Sequence, residues 1–201
     1  MGINITCLKE TTVIKICIRP DGFHADDIMS CSILQDIFED VNITRSSYRE
    51  DLIDTDLHLG VGGLSRPSLG DFDYTSNDPR LPQYPDGKKM STLGLIFNHF
   101  GDEAILTWRR GYIQEENWKE FNAFFKKKFL SRLVKPIDNW VHENKKTPSI
   151  VKEIKALESY FWEEGASKEN YQFKKAMELS RLHIHSLIRQ IINEWLIHTG
   201  R

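Results

Sequence analysis

The chain has 201 residues, 40% of them hydrophobic, and a formal net charge of −2. That length supports one sizeable core, and 27 basic against 29 acidic side chains leave no global field to draw in nucleic acid or a membrane surface. Cys7, Cys17 and Cys31 form no C-x-x-C pair, which argues against a zinc knuckle or a disulfide framework, and the lack of a signal-peptide core or an apolar run of spanning length predicts a soluble cytoplasmic protein with no membrane partner.

Val13–Ile18 is a β-branched run and predicts the first strand. A polar turn, Arg19-Pro20-Asp21-Gly22, leads into Phe23-His24-Ala25-Asp26-Asp27, after which Ile28, Cys31, Leu34, Ile37 and Phe38 recur at helical spacing. Val41–Thr44 and Leu57–Val61 predict two more strands. Residues 65–89 are dense in Pro, Gly, Asp and Asn and predict loop, with a short strand near Asp71–Tyr74. Beyond Ser91 the 3.6-residue period holds over Leu93–Phe100, Asn117–Val134, Ile150–Trp162 and Phe173–Ile197. The expected architecture is α/β: a core in residues 1–110 with a mainly parallel sheet of four or five strands in residues 10–75 and flanking helices. A helical part in residues 111–201 is expected to pack on the same domain. Two basic clusters, Lys126-Lys127-Lys128 with Arg132 and Arg109-Arg110, read either as local nucleic-acid contacts or as solvated helix faces.

His24-x-Asp26-Asp27 is the sharpest local feature, placed just past a strand and at a helix start, where α/β folds put their ligands. An imidazole and carboxylates on such a turn suit Mn²⁺ or Mg²⁺; the alternative is an aspartate capping the helix beside a solvated histidine.

Further segments resemble, in order, those of the melanocyte-proliferating-gene family of DHH-type metal-dependent exonucleases. That family carries Phe-His-Cys-Asp-Glu where Phe23–Asp27 stands, Asp-Val-Gly-Gly where Gly60-Val61-Gly62-Gly63 stands, and Tyr-Asp-His-His where Phe72-Asp73-Tyr74-Thr75 stands. Its later Ser-Ser-Ala-Gly-Leu-Val-Tyr-x-His-Phe-Gly, Ile-Asp-Asn-Gly and Phe-x-Lys-Ala-Met-Glu-Leu segments are similar to Ser91–Gly101, Ile137–Trp140 and Phe173–Leu179. The resemblance implies a DHH phosphoesterase-like fold and two-metal phosphodiester hydrolysis. It assigns His24, Asp26, Asp27, Asp73 and Asp138 as metal ligands, with Asp138 and His99 also in catalytic positions. His99 has an equal reading as a polar residue near a helix end before Gly101. Arg45, Tyr74 and Thr75 are the candidate substrate-binding residues, hydroxyls being able to hydrogen-bond phosphate. The departures are Gly60 in place of one bridging aspartate and Tyr74-Thr75 in place of two histidines. One Mn²⁺ or Mg²⁺, or none, is therefore expected rather than two. Asp54, Asp56, Asp71, Asp78 and His58 are nearby groups that could compensate. The expected function is slow metal-dependent phosphoester hydrolysis of a nucleotide or short oligonucleotide, improved by restoring Gly60→Asp with Tyr74→His. The alternative is a nucleotide-binding or sequestering protein without turnover.

Overall fold

A computed structural model describes residues 13–77, 79, 81–109, 111, 113–144, 146–158 and 166–200. Cys7, Asp78, Arg110 and the end of the helix predicted to reach Trp162 lie outside these residues. Five strands form one sheet: β1 (Ile14–Ile18), β2 (Val41–Arg45), β3 (Leu57–Leu59), β4 (Ser65–Arg66) and β5 (Asp71–Phe72), in the order β2-β1-β3-β5-β4. All pairings are parallel except β4 with β5, which run antiparallel. β1, β2, β3 and β5 stand where the sequence predicts strands; β4 is too short to carry an alternating pattern of its own.

The helices are α1 (Ala25–Ile37), α2 (Arg49–Ile53), α3 (Thr92–Trp108), α4 (Trp118–Phe129), α5 (Lys135–Glu143), α6 (Ser149–Glu158) and α7 (Ala166–His198). Helix α1 packs against α3 and α7, and every residue from Ala25 to Leu34 is buried. A helix enclosed on all sides needs small side chains and internally satisfied hydroxyls. Accordingly, Ser30 Oγ donates to the Asp26 carbonyl at 2.6 Å, and Ser32 Oγ lies 2.8 Å from Ser180 Oγ on α7. Cys17 and Cys31 are both buried and free.

The helical period expected to stop at Val134 continues to Glu143 through a π-helical turn, Leu130–Val134. Pro136 lies in the first turn of α5; proline has no N–H to give to the preceding turn, and a wide turn is one way a continuous helix absorbs that loss. Phe97 stacks on Phe129 with ring centroids 4.8 Å apart, and Phe121 meets Trp195 edge-on at 5.7 Å. These contacts join α3, α4 and α7 into one hydrophobic core that also contains the sheet residues Ile16, Leu57 and Phe72. Within the basic clusters, Lys126 pairs with Asp102, Lys128 and Arg132 both pair with Glu194, and Arg109 lies over Trp118. Among the described residues, no helix is long and apolar enough to cross a membrane.

Candidate active site

Parallel registration fixes where the chemistry sits. Ile18 is opposite Leu59, and Leu59 is opposite Phe72. One residue further on, Arg19, Gly60 and Asp73 therefore line the carboxyl ends of β1, β3 and β5. The first turn of α1 delivers Asp26 and Asp27 to the same rim, only 2% and 1% exposed.

The organising group is one that sequence reasoning missed, Arg19. Its Nε donates to Asp27 Oδ2 at 2.7 Å. Its Nη2 donates to Asp27 Oδ1 at 2.8 Å and faces both Asp26 oxygens at 2.9 and 3.0 Å. Its Nη1 donates to the Tyr74 hydroxyl at 2.9 Å. Burial disfavours the charged guanidinium, but the hydrogen bond to Asp27 and the charges of both aspartates outweigh it and raise its pKa. Burial, reinforced by the neighbouring Asp26 charge, pushes Asp27 up to about 7. Burial and the Arg19 charge lower the pKa of His24, which occupies the N-cap position of α1. The sequence did contain a signal for Arg19: a lone arginine one residue past a central strand and just before two helix-opening aspartates.

The remaining predicted site residues are held by partners other than Arg19. Asp73 folds onto its own turn, Oδ1 accepting from the Thr75 N–H (2.9 Å) and hydroxyl (2.6 Å) and Oδ2 from the Gly63 N–H (2.8 Å). Asp138, 2% exposed, ties α5 to the start of α3. It accepts from the Tyr84 hydroxyl at 2.6 Å, the Ser91 hydroxyl at 2.5 Å and the Ser91 N–H at 3.2 Å. Its pKa is pushed up to about 6, chiefly by burial, against the pull of those hydrogen bonds. Gly94 is required beneath it, because a Cβ there would lie 2.5 Å from Asp138 Oδ2. His99 packs its ring on Phe72 and Phe100, and burial lowers its pKa. Arg45 donates to the carbonyls of Pro20 and Gly22 at 2.7 and 2.9 Å and lies over the Phe23 and Phe173 rings. That places it as a clamp on the loop that carries Arg19 into α1. His58 does not compensate for the glycine at 60, since its ring nitrogens face Asp71 at 2.7 Å and the Leu52 carbonyl at 2.8 Å. Asp56 accepts from the Lys15 N–H at the far end of the strands.

The donor set does not fit a divalent cation as it stands. All four oxygens of Asp26 and Asp27 face one guanidinium, and the carboxylates of Asp73 and Asp138 are each held by protein donors. Among the described residues, no group of three or more His, Cys, Asp or Glu is arranged to hold a metal ion. The restoring substitution Gly60→Asp meets the same obstacle: Gly60 has φ +66°, and a Cβ on it would lie 2.7 Å from Arg19 Nε.

Fold and site together define a protein with a mixed, mostly parallel sheet and a buried carboxylate–guanidinium cluster at its strand ends. The profile of one family, MYG1_exonuc, described as an uncharacterised protein family (UPF0160), matches residues 15–200, and the chain belongs to that family. A MYG1 protein of Schizosaccharomyces pombe is 33% identical over 98 residues, 46% of this chain and 29% of that protein. A MYG1 protein of Caenorhabditis elegans is 22% identical over 186 residues, 86% of this chain and 54% of its own length. The MYG1 exonuclease of Homo sapiens is 31% identical over 91 residues, 41% of this chain and 24% of that protein. The chain thus spans about half the length, or less, of these curated relatives. No solved structure matches it.

Proposed function

We propose that this chain is a nuclease-like member of its family that binds a nucleotide or short oligonucleotide at the strand-end crevice without turning it over. The observation that carries the reading is the Arg19 cluster. It is a buried guanidinium set between two carboxyl groups at the carboxyl ends of parallel strands, where α/β proteins place ligands. Such groups are costly to desolvate and concentrate at functional sites. The nuclease-like character is supported by family membership and by the name of the human relative. The DHH-type assignment rests on the motif order alone. Loss of turnover is supported by the engagement of every candidate metal ligand but His24 with protein donors.

The competing reading is Mn²⁺- or Mg²⁺-dependent hydrolysis through His24, Asp26, Asp27, Asp73 and Asp138, favoured by the relative named an exonuclease. A panel of mono- to pentanucleotides separates the two. Calorimetry on the wild type should show saturable binding of at least one member. Hydrolysis should stay at the buffer rate with or without added Mn²⁺. Turnover that rises with Mn²⁺ restores the hydrolase reading, and absence of binding across the panel sinks both.

A further inference from the structure

We infer that Arg19 is a built-in cation standing where a divalent metal would bind, so that the crevice takes up no Mn²⁺ or Mg²⁺ while this side chain is in place. The inference rests on the reading that the strand-end crevice is the functional site. Three observations carry it.

The first is coordination. Arginine presents a rigid planar fork of donors. Here that fork faces all four oxygens of two adjacent carboxylates, at 2.7 to 3.0 Å. A divalent ion between the same carboxylates would have to displace the guanidinium or sit beside a fixed positive charge, which repels it.

The second is space. A Cβ at position 60 would lie 2.7 Å from Arg19 Nε and 2.9 Å from Asp27 Oδ1, closer than real contacts allow. The guanidinium therefore needs glycine on the neighbouring strand, and any carboxylate-bearing residue there would collide with it. Gly60 and Arg19 form a matched pair: the glycine removes a candidate ligand and makes room for the organic cation.

The third is enclosure. The Tyr74 hydroxyl accepts the remaining Nη1 bond at 2.9 Å, and the Arg19 side chain is only 13% exposed. The guanidinium is thus held on three sides rather than lying across the crevice as a mobile surface arginine. Its charge balances one of the two aspartates and is fixed in the chain, so any nucleotide binding at this site should be insensitive to chelators.

The test is a Mn²⁺ titration of the full chain without nucleotide, read by the electron paramagnetic resonance of free Mn²⁺, so it is independent of whether the nucleotide reading holds. Wild type should show no saturable uptake up to millimolar Mn²⁺, and its melting temperature should be the same in Mn²⁺ and in EDTA. Arg19→Ala frees the two carboxylates and should bind Mn²⁺ at least about tenfold more tightly, with a melting temperature that Mn²⁺ raises. Adding Asp26→Asn to that variant should abolish the gain, whereas Arg19→Lys, which keeps a cation, should behave as wild type. Saturable Mn²⁺ uptake by the wild type, or a melting temperature that Mn²⁺ raises, overturns the inference. So does a folded Arg19→Ala that takes up no more Mn²⁺ than wild type. If Arg19→Ala does not fold, the wild-type titration and melting pair decide the matter alone.

Discussion

Two sets of carboxylates, Asp26 with Asp27 and Asp138, are almost equally enclosed, at 2%, 1% and 2% exposure, yet are compensated by different chemistry. In the crevice a full positive charge, Arg19, faces the aspartates. Beneath α3 only neutral donors, Tyr84 and Ser91, face Asp138. Both arrangements satisfy every oxygen geometrically. The comparison teaches that hydrogen-bond satisfaction and charge compensation are separate conditions. The Asp138 knot meets the first alone and joins two helices; the crevice meets the first and half of the second, one guanidinium facing two aspartates, at a rim where α/β proteins place ligands.

Removing the cation should therefore cause the largest loss. Arg19→Ala leaves two buried carboxylates facing each other without a counter-charge and should destabilise the chain by about 3–5 kcal/mol in metal-free buffer at neutral pH. Urea unfolding measures it, and a loss below about 1 kcal/mol would mean that the pair is not stabilising in solution. On the neutral side the corresponding change is smaller. Tyr84→Phe removes a hydroxyl donor to a buried, charged acceptor and should cost about 1.5–3 kcal/mol by the same assay.

A pH series distinguishes the two sites next. Asp27 and Asp138 have pKa values raised from 3.8 to about 7 and about 6, so the folded chain holds their protons more tightly than the unfolded chain does. Their contribution to stability is full below the unfolded value and is lost as pH rises through the folded values. The urea midpoint should fall between about pH 4 and 7 through these groups. Asp138→Asn should flatten the part below about pH 6 and leave the part nearer pH 7, which belongs to Asp27. A slope unchanged by Asp138→Asn would remove Asp138 from the account. The smallest effect expected is that of Tyr74→Phe. It deletes one of several acceptors around a guanidinium that keeps both aspartates, and should cost about 1 kcal/mol. A loss as large as that of Tyr84→Phe would show that the crevice depends on its hydroxyl as much as the knot does.

Local pattern carried most of the architecture. The β-branched runs at Val13–Ile18 and Val41–Thr44 became β1 and β2, and the 3.6-residue periods beyond Ser91 became α3, α4, α6 and α7. These features were legible because burial against a sheet or a helix bundle imposes a period on the sequence itself. The order of motifs likewise led to the family, and the spacing of His24, Asp26 and Asp27 placed part of the crevice on a strand–turn–helix. What the partners of those residues are was decided only by the fold. Arg19 meets Tyr74 across 55 positions, Tyr84 meets Asp138 across 54, and Asp71 rather than a vacated ligand position receives His58. A hydrogen bond between residues so far apart leaves no periodic trace in the chain, because it depends on which strand ends and helix starts the topology brings to one rim. The same holds for Gly60: alone it reads as a lost carboxylate, and only the guanidinium lying 2.7 Å from its would-be Cβ shows what that space is for.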